Sequence, residues 1–490
     1  MIKGKKIAKK YLDVIEERRY KRIVKRSKRK RKNKKRIVLK GRKIIRRVRK
    51  RFKISNLLII INLLFILGCC IFYGTRLINF YRIEHPHIDK DSNILDVISI
   101  KNTVTTGDGL YEDDDEYYYK GKNVNNYVIY SGRLWRIISI DKESNIKMIT
   151  EDSQTSLVWG INTDYEKSYV RSWLNDENMV FKSFFASLDD PNSIGYTRTC
   201  IDVIEDKITC EKTVNDRVGL LSYFEYKKAG AEKSYLNTGR YWWLSNVDKN
   251  NTSLYVFSKG NVNNDSFSGT SYYSYGVRPV ITISGFMSVK SGNGKKESPV
   301  NLDSSKGNTL KDKYVGEYIK FGDYNWRIID KGEEYVKVVM DGVISVEGEK
   351  YESSFGGSNY CNKSNKVCSY INKDFYESIK KDDYILEREY YTGYYDKTYN
   401  YELNHLKDRK EKLFVGLLHL GELFVNDYNN YFLLSRTIDS DNNIYEVLDN
   451  DQIYAGNPSD KSNVRVTMYL KPDIILEEGL GTRDKPYIIK

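Results

Sequence analysis

Trp135-Arg136-Ile137-Ile138 recurs as Trp326-Arg327-Ile328-Ile329, and this pair of tetrapeptides decides how the 490-residue chain is organised. Three more segments repeat in the same order. Val218-Gly219-Leu220-Leu221, with Glu225 just beyond, returns as Val415-Gly416-Leu417-Leu418 with Glu422. Tyr241-Trp242-Trp243-Leu244-Ser245 returns as Tyr431-Phe432-Leu433-Leu434-Ser435, and Val277-Arg278-Pro279 as Val464-Arg465-Val466. The four separations are 191, 197, 190 and 187 residues. One match can arise by chance, whereas four in order mark a duplicated unit. The units are placed at residues 108–302 and 303–490, each large enough to bury its own core.

Within a unit the pattern is mixed. Tyr127 to Tyr130 and Leu134 to Ile140 are β-branched and aromatic runs separated by Ser131-Gly132, and Gly322-Asp323 holds the same place in the second unit, a two-residue hairpin signal. Third strands are expected at Ile146 to Thr150 and Val336 to Met340. Tyr169, Val170, Trp173 and Leu174, and then Ile371, Phe375 and Ile379, have helical spacing. The expected fold class is therefore α+β with antiparallel sheets.

The early Trp-Arg-Ile strand, Ser172-Trp173-Leu174-Asn175, the aromatic-Leu-Ser segment and Gly276-Val277-Arg278-Pro279 together resemble an uncharacterised surface-protein domain family of low-GC Gram-positive bacteria. Gly107-Asp108-Gly109-Leu110-Tyr111 and Asn125-Asn126-Tyr127 fit the same resemblance. It implies a fold distantly similar to C-type lectins and sulfatase-modifying factors, present here as two tandem C-type-lectin-like domains. It implies no activity. The cysteine pair with metal of the one group and the carboxylate and amide ligands of the other have no counterpart at matching positions.

The formal net charge of +15 has to be divided along the chain. Residues 1–53 hold 28 Lys and Arg against Asp13, Glu16 and Glu17, a net +25, and the remainder is −10. With 40% hydrophobic residues and 30% charged, the chain as a whole is not disordered. Ile54 to Thr75 carries no charged side chain, and as a helix its 22 residues rise about 33 Å, which predicts a transmembrane helix at 54–75. The basic block before it puts a cytoplasmic tail at 1–53, a stalk at 76–107 and the two units outside the cell membrane, a signal-anchor arrangement. Ile44, Ile45, Val48 and Phe52 share one helical face, so the tail's expected partner is anionic lipid. Nucleic acid ranks below it, since no base-reading motif accompanies the charge.

Cys200 with Cys210 and Cys361 with Cys368 read as two local disulfides. Cys69 and Cys70 fill the apolar run. Of the four histidines, His85 and His87 flank Pro86, His405 lies in a charged loop and His419 stands where the first unit has Ser222. None pairs with a nucleophile in both units. No zinc-protease helix, phosphate loop or nucleophile elbow occurs, so no catalytic residue, metal site or cofactor is expected. Glu225 and Glu422 recur, which raises an envelope enzyme as one alternative, although helix capping is their ordinary role; the other is a membrane sensor whose basic tail engages nucleic acid or anionic lipid.

Tyrosine, with 42 residues, offers the remaining candidates. Tyr272, Tyr273 and Tyr275 precede the Val-Arg-Pro strand, and Tyr390, Tyr391, Tyr394 and Tyr395 crowd a region of the second unit. Tyrosine buries an apolar ring and keeps its hydroxyl in water, which suits sugar or peptide recognition. The expectation is a membrane-anchored surface protein whose tandem units bind an extracellular glycan, peptide or protein.

Overall fold

The computed structural model describes residues 2–489 apart from 85–91, 99–101, 161–162, 177–180, 205–208, 266–273, 305, 357–360, 363, 382, 396–407, 425–430, 438–443 and 448–452. Two bodies result, Met1–Ile83 and Glu84–Lys490. The first is one uninterrupted helix, Ile2–Glu84. Its side chains are described over 14–40, 42–47 and 62–74, where nearly all are exposed. Lys21 pairs with Glu17 at 2.5 Å, one helical turn apart.

No helix among the described residues is long and apolar enough to cross a membrane. This corrects the expected transmembrane helix at 54–75, together with the signal-anchor and membrane readings built on it. Side chains at 54–61 and 75 lie outside the described residues. The apolar stretch that is described, 62–74, rises only about 20 Å against roughly 30 Å of hydrocarbon.

The second body is mostly β-sheet, which corrects the α+β, C-type-lectin-like expectation. Its helices are short: Tyr169–Asn175 has seven residues and Tyr223–Lys228 six. Helical spacing over residues 371–379 corresponds to a π-turn, Ile371–Phe375, running into one turn at Tyr376–Ile379. The sheets also contain parallel pairs and are therefore mixed.

Among the described residues two large sheets lie in 109–301 and two in 318–488, beside smaller two-stranded ones, and the order of their central strands coincides. In the first sheet Val300–Asn301, Tyr127–Tyr130, Arg133–Ile140, Asn145–Thr150 and Val280–Ser284 are successive neighbours. Tyr487–Ile488, Tyr318–Phe321, Tyr324–Gly332, Tyr335–Met340 and Val466–Leu470 follow the same order in the later half. The edge pairing is parallel in both, and both central strands shift register at one place, between Ile137 and Ser139 and between Ile328 and Asp330. The other large sheet of each half centres on Trp242–Asp248 or Tyr431–Thr437, each with a parallel neighbour, Tyr275–Val277 and Lys461–Asn463.

Local chemistry explains the repeated segments. Ser131 and Gly132 both have positive φ, 52° and 71°, the mirror-image turn whose twist suits a two-residue hairpin. The Asp303 carboxylate accepts from both their N–H groups, at 2.6 and 2.7 Å. Trp135 and Trp326 are fully buried, and each indole N–H donates five residues back, to Tyr130 O at 2.9 Å and Phe321 O at 3.0 Å. Arg278 is buried by donating Nε to Thr150 O and Nη1 to Leu236 O, and Arg465 does the same with Met340 O and Phe424 O. Buried guanidinium needs such acceptors. Asn175 and Asn372 in turn clamp the backbone of Val218 and Val415.

Residues 92–98, within the expected stalk, pack on the first half: Ile94 is buried and Asn93 bridges Ser288. One hydrophobic cluster runs through both halves. At their junction Phe424, held at φ 61°, donates its N–H to Gln154 O, and the Arg327 guanidinium lies 3.7 Å over its ring.

Candidate functional site

Lysine in the third strand of each half pairs with the recurring glutamate, and the two pairs have different surroundings. Lys147 Nζ bonds Glu225 Oε1 and also donates to Arg198 O at 2.7 Å. Glu225 Oε2 accepts from Ser222 N at 2.9 Å and from Ser222 Oγ at 2.6 Å, completing a capping box at the start of Tyr223–Lys228. Glu225 is thus a structural cap with its charge spent. In the second half Lys337 bonds Glu422 Oε1, with the side chains only 3% and 6% exposed, and Glu422 Oε2 accepts from His419 N at 2.8 Å. Here the described residues that follow, 420–424, form turns and a bend rather than a helix. The chain turns through His419–Phe424 directly into the junction, and the pair faces a cavity of about 270 Å³.

The cavity has aromatic walls and charged edges. Tyr469 stands edge-to-face with both Tyr335 and Tyr390, each at 5.2 Å. Phe181 of the first half also lines it, stacking on His419 at 5.3 Å and meeting Tyr391 at 6.4 Å. Lys182, also from the first half, pairs with Asp330 at 2.8 Å, and Asp330 accepts the Tyr335 hydroxyl at 2.8 Å. Glu389 at the rim is held by Lys410 at 3.0 Å. Burial acts differently on these groups. It lowers Lys337, but Glu422 outweighs it and the ammonium ends above its ordinary range. It pushes His419 well below 6.5, with Lys337 adding to the effect, so the imidazole is neutral at pH 7.

Of the tyrosines singled out from sequence, Tyr390 and Tyr391 line this cavity. Tyr275 does not: it is buried in the first half, stacked on Tyr255 at 4.1 Å and Tyr241 at 5.8 Å. Tyr272 and Tyr273 lie outside the described residues. Tyr394 and Tyr395 are described as backbone only, pairing in parallel with Arg436 and Thr437. Glu422 reaches the cavity, whereas Glu225 does not line it.

Cys200–Cys210 and Cys361–Cys368 are bridged, with S–S distances of 2.04 and 2.01 Å. Cys200, Asp202 and Cys210 bring three possible metal ligands together, but the disulfide consumes both sulfurs. Asp202 instead accepts the backbone N–H of Glu211 and Lys212 and closes that loop.

Sequence reasoning missed Lys337, Tyr469, Tyr335 and the Phe181-Lys182 contribution. One signal was available, since Ile146-Lys147-Met148 and Val336-Lys337-Val338 each set a lysine between apolar neighbours in corresponding strands. The junction contacts are non-local and leave no periodic trace. No curated protein and no solved structure matches the chain. Residues 143–285, which carry the Lys147–Glu225 pair, the first disulfide and Arg278, match a domain of unknown function, DUF6273, an uncharacterised domain family.

Proposed function

We propose that residues 108–490 are a binding module made of two copies of one unit, taking a glycan, peptide or protein ligand in the cleft at their junction. One observation carries this reading: the same Lys–Glu pair is closed by a helix cap in the first half and opens on a tyrosine-walled cavity in the second. The duplication itself is supported by the coincident strand orders and by the shared Trp, Asn and Arg anchoring bonds. On this reading the first copy is scaffold and supplies Phe181 and Lys182, while the second copy carries the site. Two disulfides suit an oxidising compartment, where an outer binding module would work. An enzyme built on Glu225 and Glu422 is less favoured, because both oxygens of each carboxylate are already engaged. The test is binding of the whole chain to glycan and peptide arrays, repeated with Tyr391→Ala. Binding that the substitution removes supports the cleft, and binding that survives it unchanged rejects the cleft.

A further inference from the structure

The charges around the cavity cancel pair by pair. Glu422 is matched by Lys337, Asp330 by Lys182 and Glu389 by Lys410. His419 adds no charge near neutrality. A charged ligand entering this space would lose its hydration and meet no unmatched counter-charge, at a cost of several kcal/mol. An uncharged ligand incurs no such cost.

The polar groups nevertheless demand a ligand rich in hydrogen bonds. Lys337 has three N–H donors, of which Glu422 Oε1 takes one, and the ammonium borders the cavity. Beside it on the neighbouring strand, Asp330 is the register partner of Lys337 and bonds the Tyr335 hydroxyl through one carboxylate oxygen. Donor and acceptor sites thus face one small space. Hydroxyl groups serve both without bringing charge.

Shape narrows the class further. Tyr335, Tyr469 and Tyr390 form a continuous edge-to-face wall, and Phe181 with Tyr391 forms a second aromatic pair in the lining. Such faces take the apolar C–H face of a ring. The volume of about 270 Å³ falls just below the usual range of small-molecule sites, roughly 300–1,000 Å³. That is room for one ring.

We propose that the junction cleft holds a single uncharged sugar ring, stacked between the Tyr469 and Phe181 sides with its hydroxyls shared between Lys337 and Asp330. This rests on the cleft reading above and names its ligand class. The test is titration of the full-length chain, by calorimetry and saturation-transfer NMR, with glucose, galactose, mannose and N-acetylglucosamine. Glucosamine, glucuronate and short lysine-rich and aspartate-rich peptides are the charged comparison. The expected result is saturable binding of a neutral sugar, weakened about tenfold or more in Tyr391→Ala, the loss of one aromatic face, and unchanged in Tyr196→Ala, an exposed tyrosine elsewhere. Its affinity should vary little with salt, unlike that of a charged ligand. Far-UV circular dichroism checks that each variant is folded, and Tyr391→Phe should restore binding. If only charged probes bind and Tyr391→Ala removes them, the cleft stands and the neutral-sugar assignment falls. If no probe binds in a way that Tyr391→Ala alters, the assignment and the cleft reading fall together.

Discussion

The Trp173 indole N–H donates to the Gly421 carbonyl at 2.7 Å, tying a helix of the first half to the turn that carries Glu422 in the second. Trp173 is 1% exposed and its ring packs on Phe184 at 5.9 Å. Removing the donor leaves a buried carbonyl without this partner and removes part of a filled volume. Trp173→Phe is expected to cost about 1–3 kcal/mol and to weaken any ligand of the cleft, because the turn loses its anchor. Chemical denaturation gives the first quantity and ligand titration the second. An unchanged midpoint would show that the halves are held by other contacts alone.

The Lys337–Glu422 pair is the second target. Breaking a buried pair from one side strands the remaining charge, so Lys337→Met should cost about 3–5 kcal/mol, and Lys337→Met with Glu422→Leu should cost less than the single change. The pH dependence has a definite sign. Lys337 titrates above its unfolded value because of Glu422, so its contribution is complete below about pH 10.4 and fades as pH rises through the folded value. Urea unfolding of the wild type and Lys337→Met should therefore differ by a constant amount from pH 7 to 10 and converge above that. Convergence at lower pH would mean that Lys337 is not the group concerned.

Gly416 makes the tyrosine wall possible. A Cβ there would lie 2.2 Å from Cε1 and 2.4 Å from Cδ1 of Tyr390, a ring fixed by its hydroxyl bond to Thr467 O at 3.2 Å. Gly416→Ala is expected to cost about 1–3 kcal/mol as overpacking and to displace Tyr390 from the cleft. The equivalent Gly219 meets Thr199 instead, with Oγ1 at 2.0 Å from the added carbon. Gly219→Ala should therefore strain the first half and leave cleft binding intact. Equal loss of binding in both variants would contradict the division of roles between the halves.

The parts of this fold legible in the sequence are those set by local chemistry. Ser131-Gly132 announces its hairpin because two successive left-handed residues are needed there, and the Trp135 and Trp326 strands announce themselves by their aromatic and β-branched residues. The rest depends on partners far away in the chain. Lys337 acquires its role only when Glu422, 85 residues on, is placed against it. Phe424 adopts φ 61° only because Gln154, Arg327 and Arg465 hold it, which no local preference would forecast. Tyrosine density drew attention equally to Tyr275 and Tyr390. Only topology separates the core ring from the cleft ring.

Glu446 gives a pH test away from the cleft. Burial raises its carboxyl, the nearby Asp460 charge adds to this, and the pKa ends at about 7. In the unfolded chain it would titrate near 4.3. The folded value is the higher one, so the protonated carboxyl favours the fold, and that contribution is complete below about pH 4.3 and lost as pH rises through about 7. Stability should decline across this window. Glu446→Gln keeps the shape without the charge, so it should flatten the decline and stabilise the protein at pH 8 while leaving stability at pH 4 nearly unchanged. Asp460→Asn, which removes the neighbouring charge, should flatten it in part. Denaturant midpoints from pH 4 to 8 for the three proteins decide the matter, and an identical slope in Glu446→Gln would assign the titration to another carboxylate.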